Sequence, residues 1–166
     1  MDAAYDAEPW SEFAAGTAGA AAALAGLLFV AVSINIQTIL AGSRITGRAA
    51  QAMVFLVTPV FLSLAVLVPG QPDTALAIEL LAIVAVAGPA LLLQARPAAR
   101  AVEQPRSSWM VTSVVPSAIV ALAPVVAAIG LLTGSLGGLY WLPAAVACAL
   151  GGGLVNAWVL LVEILR

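Results

Sequence analysis

The sequence predicts an all-α membrane protein, a polytopic bundle of five transmembrane helices, and three observations support this fold class. Of the 166 residues, 63% are hydrophobic and only 8% are charged. The mean hydropathy is +1.12, whereas about a quarter of the residues in a soluble domain are charged. Several uncharged runs reach the roughly 20 residues that a helix needs to cross a bilayer. We therefore expect residues 1–166 to form a single transmembrane domain of a multi-pass protein of the cell (plasma) membrane.

The five predicted spans are separated by turn-forming or charged segments. The segment AGSRITGR, 41–48, follows the first span, and the Pro- and Gly-rich segment 69–73 ends the second. The uncharged run 107–162 is too long for one crossing, so TGSLGG at 133–138 is predicted to divide it. The spans predicted in this way are about 13–40, 49–68, 74–95, 109–132 and 139–165.

The arginines predict the orientation of the chain. All six fall on one side of the five-span arrangement, and the chain contains no Lys. Because Lys and Arg accumulate in cytoplasmic loops, the N-terminus is predicted to lie outside and the C-terminus in the cytoplasm. The six residues are Arg44, Arg48, Arg96, Arg100, Arg106 and Arg166.

A stripe of small and polar residues runs along the first span. Small residues in a membrane helix allow a second helix to approach closely. We interpret this span as the central packing helix of the bundle, and we expect a homo-oligomer with span one at its centre or interface. The predicted packing residues are Gly16, Gly19, Ala23 and Gly26. The whole stripe, in steps of three and four, is Glu12, Gly16, Gly19, Ala23, Gly26, Val30, Ser33 and Gln37.

Polar residues within the spans concentrate in the predicted cytoplasmic half. The candidate cytoplasmic polar cluster is Ser33, Asn35, Gln37, Asn156 and Glu163, and Gln51, Gln94, Thr112 and Ser113 lie in the same half. Two interpretations stay open. These groups can form hydrogen bonds between helices that fix the register, or they can line a vestibule for a substrate or ion.

Glu79 is the candidate proton or cation site. It lies inside span three on the side that has no Arg or Lys, and acidic residues within a membrane are functional sites by default. The alternative is a neutral carboxylic acid that is hydrogen-bonded to a neighbour such as Thr17, Thr133 or Tyr140, or that reaches headgroup water. In a homo-oligomer, one Glu per chain becomes a ring of acids that attracts cations.

The residue types argue against several other functions. With one Cys and no His, we expect no disulfide framework, metal site or haem, and no other cofactor. No set of residues at catalytic spacing is found, so we expect no enzyme. Without a basic run, nucleic acid is not expected as a partner. Two functions remain: an accessory or regulatory subunit that binds another membrane protein, and an oligomeric ion channel or small transporter.

Three segments carry a resemblance to a known family. They are GLLFVAVSINIQTIL (26–40), VPGQPD (68–73) and NAWVLLVEILR (156–166). The chain resembles a family of small, mostly uncharacterised integral membrane proteins of actinobacteria and other bacteria, some labelled modulator of FtsH protease. The resemblance implies a helical fold in the bacterial inner membrane, and it implies no reaction.

Overall fold

The computed structural model describes residues 3–41, 43–96 and 106–164, without the side chains of residues 43, 44, 163 and 164. The described residues form helices and turns and contain no strand. A π-helical turn, Met110–Val114, joins the fifth helix to the sixth, and 3₁₀ turns precede the first and the last helix. The helices are α1 (Ser11–Ile34), α2 (Ile36–Ala41), α3 (Ser43–Val66), α4 (Asp73–Gln94), α5 (Arg106–Trp109), α6 (Val115–Thr133) and α7 (Leu142–Ile164).

Five helical stretches of the described chain are long and apolar enough to cross a membrane, which confirms the predicted all-α class and the predicted number of such helices. Two predicted breaks between spans are confirmed as well. Pro72 has an extended backbone and precedes α4, and Gly134 ends α6 in the left-handed conformation that glycine favours. The stretches are Glu8–Ile34, Ile45–Val66, Asp73–Gln94, Arg106–Thr133 and Gly138–Val162.

The connection between the first two spans differs from the prediction. The segment 41–48 was expected to be a turn, but α3 already begins at Ser43. Within residues 43–48, Gly47 is the one glycine or proline, and a glycine costs a helix only about 1 kcal/mol. The first span, expected to run unbroken to about residue 40, is interrupted at Asn35, whose amide donates a hydrogen bond to the carbonyl oxygen of Ala31. A side chain that competes for backbone groups in this way favours a helix end.

Four helices form a ring, and α1 lies outside it. Around the ring, α3 contacts α4, α4 contacts α6, α6 contacts α7, and α7 contacts α3. Helix α1 packs chiefly on α3 and is the least buried of the five spans, whereas the span in α3 is the most buried. The interpretation of span one as the central helix therefore does not describe this chain's own bundle, in which α3 is central.

Charged residues separate to the two ends of the bundle. Arg48, Arg96 and Arg106 lie where α3 and α5 begin and α4 ends, which we call the arginine end. Asp6, Glu8, Glu12 and Asp73 lie at the opposite, acidic end. The side chain of Arg44 and the whole of Arg100 and Arg166 lie outside the described residues. Which end faces the cytoplasm stays a prediction.

Candidate functional site

The outward surface of α1 carries the four predicted packing residues. Gly16, Gly19, Ala23 and Gly26 are all exposed on the surface of the chain. A Cβ atom built on any of the three glycines would meet no neighbouring atom within 4 Å. In the described chain no helix packs on these residues, so the prediction that they contact a helix now concerns a second molecule.

The face of α1 that packs on α3 lies on the other side of the helix. Its buried residues are Ala14, Thr17, Ala21 and Leu28. With 3.6 residues per turn, the centres of this buried set and of the small-residue stripe are about 180° apart around the helix. Helix α1 therefore has two opposite faces, one against α3 and one unoccupied.

The unoccupied face has the shape of a shallow groove. Ala15, Gly19 and Ala23 follow one another at intervals of four, the spacing of small residues that lets membrane helices approach closely. Leu27 and Phe29 flank the lower part of the stripe, and their side chains are 69% and 63% exposed. The backbone is thus accessible between these two side chains. We call this surface, from Gly16 to Ser33 along the stripe, the outer face of α1.

The residues before α1 fasten it to the turn between α6 and α7. The amide of Leu139 donates to the carbonyl oxygen of Ala4 at 2.8 Å, and the indole of Trp10 donates to that of Ala3 at 2.6 Å. The rings of Trp10 and Tyr140 pack edge to face with centroids 5.2 Å apart. The acidic end of α1 is therefore held in a fixed position.

The structure separates the members of the predicted polar cluster. Ser33 is exposed on the outer face of α1, where its hydroxyl donates a hydrogen bond to the carbonyl oxygen of Phe29 in its own helix. Gln37 is exposed on α2, beyond the interruption at Asn35. Asn35 is half-buried and lines an apolar groove of about 330 Å³ between α1 and α7. These three residues do not contact the interior of the four-helix ring.

Asn156, by contrast, is buried in the ring, and its amide donates to the carbonyl oxygen of Gly152 at 2.8 Å. The side chain of Glu163 lies outside the described residues. Close to Asn156 in depth, the amide of Gln51 donates to the hydroxyl of Ser117 at 3.5 Å.

Together with Ser113, these buried groups form what we call the polar layer: Gln51, Ser113, Ser117 and Asn156. Sequence reasoning did not single out Ser117. The available signal was its spacing, because it follows Ser113 by four residues and therefore shares its helix face.

Glu79 lies on the outside of the ring. It is half-buried and shares one helical face with Ile83, Val86 and Ala90, which line an apolar groove of about 540 Å³ between α3 and α4. Among the described residues, its carboxylate has no hydrogen-bond or ion-pair partner. Glu79 thus lies on the groove's face of α4, one turn nearer the acidic end than the residues that line the groove.

The three residues named as possible hydrogen-bond partners of the Glu79 carboxyl group have other contacts. The hydroxyl of Thr133 bonds to the carbonyl oxygen of Ile129, and Tyr140 packs against Trp10. Thr17 is buried in α1, whose main contact is with α3.

In the described part of the chain, no three His, Cys, Asp or Glu side chains are grouped so that they could hold a metal ion. No protein-family model, curated protein or solved structure matches the chain.

Proposed function

We propose that this chain is a non-enzymatic, multi-pass protein of the cell membrane that self-associates and serves as an accessory or regulatory subunit of a membrane complex. The observation that carries the proposal is the outer face of α1, which is rich in glycine and has no partner in the described chain. The absence of a catalytic set in the sequence also favours a role in binding.

Exposed glycines in a membrane helix need an explanation. Each glycine destabilises a helix interior by about 1 kcal/mol relative to alanine. Lipid does not offset this cost, because lipid chains pack against larger apolar side chains as well as they pack against glycine. A second helix does compensate, since small residues let the two backbones approach and gain van der Waals contact.

A second copy of the chain is the occupant that best fits this face. Two copies related by a twofold axis along the membrane normal place their α1 helices in parallel, with identical residues opposite each other. Gly19 then meets Gly19 of the second copy, and the two backbones approach closely along the stripe.

The test is the oligomeric state of the purified protein in lipid nanodiscs, measured by native mass spectrometry. Gly19→Leu should shift the population toward monomer, because a leucine side chain keeps the two helices apart. The matched control is Gly151→Leu on α7, since Gly151 is also exposed and its Cβ would also meet no atom within 4 Å.

A Gly19→Leu variant that keeps the wild-type oligomer would refute the assignment of this face. Equal dissociation of the Gly151→Leu variant would show that the effect is not specific to α1.

A second candidate function, an oligomeric ion channel or small transporter, is favoured by the Glu79 carboxylate, which has no partner among the described residues. Copies of Glu79 would meet in an assembly joined along the α3–α4 groove, which is a different contact from the one through the outer face of α1. A ring of such acids would attract cations. Flux through reconstituted vesicles separates this function from that of an accessory subunit.

A further inference from the structure

The polar layer lies inside the four-helix ring with its hydrogen-bonding capacity largely unused. A carboxamide offers two N–H donors and a carbonyl acceptor, but the amides of Gln51 and Asn156 each make one hydrogen bond. Among the described residues, the Gln51 Oε1, the Asn156 Oδ1 and the Ser113 hydroxyl have no protein partner. Polar groups buried without a partner are strongly disfavoured in a membrane interior.

These unpaired oxygens are not sealed in the protein. In the described chain, the one fully buried side-chain oxygen or nitrogen without a partner is the Oε1 of Gln94. The oxygens of Gln51, Ser113 and Asn156 therefore keep some accessible surface, although these residues are only 4%, 8% and 2% exposed. There is room for a molecule of the size of water to touch them.

A π-helical turn and a proline lie in the backbone beside the layer. Pro116 has no N–H to donate to the carbonyl oxygen of Thr112, four residues earlier. In the π-helical turn, the amide of Val115 donates to the carbonyl oxygen of Met110, five residues earlier. Such turns occur often at functional sites, and ordered water commonly bonds to the backbone groups that a proline leaves free in membrane helices.

Toward the acidic end, close contacts between helices block access to the polar layer. A Cβ atom on Gly152 would lie 3.2 Å from the Phe55 ring and 3.3 Å from Pro116. One on Gly153 would lie 2.6 Å from Leu56. A gap between α3, α6 and α7 that has no room for a methyl group has no room for water. Gln51, Ser113 and Asn156 all lie nearer to the arginine end than this closure.

We infer that the polar layer is a hydration site, which water enters from the arginine end and does not pass. The chemistry of the layer fits water, because neutral amides and hydroxyls both donate and accept hydrogen bonds while no charged side chain is among them. The inference rests on the proposed membrane location and is independent of self-association.

The test uses cysteine accessibility in sealed membrane vesicles, with Cys148→Ala as the background. A charged methanethiosulfonate reagent is added from one side at a time, and modification is followed by intact-protein mass spectrometry. Ser113→Cys is the main variant and Ser117→Cys the second, since serine and cysteine have nearly the same size. The matched control is Ala128→Cys on the same helix, in the apolar cluster toward the acidic end.

Because a thiol reacts as its thiolate, which forms in water, the Ser113→Cys thiol should react about tenfold or more faster than the Ala128→Cys thiol. Reaction should come from one side of the vesicle, the same side that modifies the exposed Ser107→Cys at the arginine end. If the Ser113→Cys and Ser117→Cys thiols react no faster than the control, the layer is dry. Modification from the opposite side, which modifies a Ser135→Cys thiol in the exposed turn between α6 and α7 at the acidic end, would disprove the closure. Neither the reaction rate nor the side of modification depends on the oligomeric state of the protein.

Discussion

Three consecutive glycines of α7 provide a graded test of the packing. Changing glycine to alanine inside a helix contributes about 0.5 to 1 kcal/mol of stability through backbone entropy. The added methyl group would meet nothing within 4 Å at Gly151, the Phe55 ring at 3.2 Å at Gly152, and Leu56 at 2.6 Å at Gly153. Overpacking a tight contact costs about 1 to 3 kcal/mol.

Gly151→Ala should therefore stabilise the protein by about 1 kcal/mol. Gly152→Ala should be close to neutral, because the gain and the steric cost are similar, and Gly153→Ala should destabilise by about 1 to 2 kcal/mol. The order of stability of the three variants is measured as free energies of unfolding, by reversible titration with sodium dodecyl sulfate in mixed micelles. If Gly153→Ala is as stable as Gly151→Ala, the close approach of α7 to α3 is refuted.

Three further predictions concern topology, the acidic site and the fastening of α1. The Ser135→Cys thiol should be labelled from outside intact cells by an impermeant maleimide and the Ser107→Cys thiol only after permeabilisation; the reverse result would invert the predicted orientation. If the protein conducts, Glu79→Gln should lower cation flux through reconstituted vesicles because the ring of acids loses its charge, and flux equal to wild type would exclude this site. Gly138→Ala should destabilise by more than about 2 kcal/mol in the same micelle titration, since φ is +45° and a Cβ would collide with the carbonyl oxygen of Ala4. Wild-type stability of this variant would show that the contact is dispensable.

The ends of the spans were predictable because their causes are local. Pro69, Gly70 and Pro72 stand close together, and such a cluster of helix breakers ends a span, whereas the isolated Pro59, Pro89 and Pro124 lie within helices. Hydropathy alone identifies a run that is too long for one crossing. The interruption of the first span at Asn35 was harder to predict than these span ends. It arises from one side chain that bonds to the carbonyl oxygen of Ala31, and the same residue type often stays within a helix.

The packing partners of α1 could not be read from its sequence. A stripe of small residues has the same pattern whether it meets another helix of its own chain or a helix of a second molecule. Only the position of Ala14 and Ala21 against α3 shows which face is occupied within the chain. The polar layer escaped prediction for a related reason, because Gln51, Ser117 and Asn156 come from three helices that are far apart in sequence.

The fastening of α1 has a consequence for the order in which the protein is assembled. The amide of Gly137 donates to the hydroxyl of Tyr5 across a separation of 132 residues, next to the bond between Leu139 and Ala4. Chains are synthesised at about 5 to 20 residues per second, so the N-terminal residues wait on the order of 10 s for this partner. During that interval α1 has only α3 to dock on, and the ring of four helices closes last, when α7 is made. The contacts that fasten α1 thus form late in synthesis, and truncation before the turn at 137–140 would leave α1 inserted but unfastened.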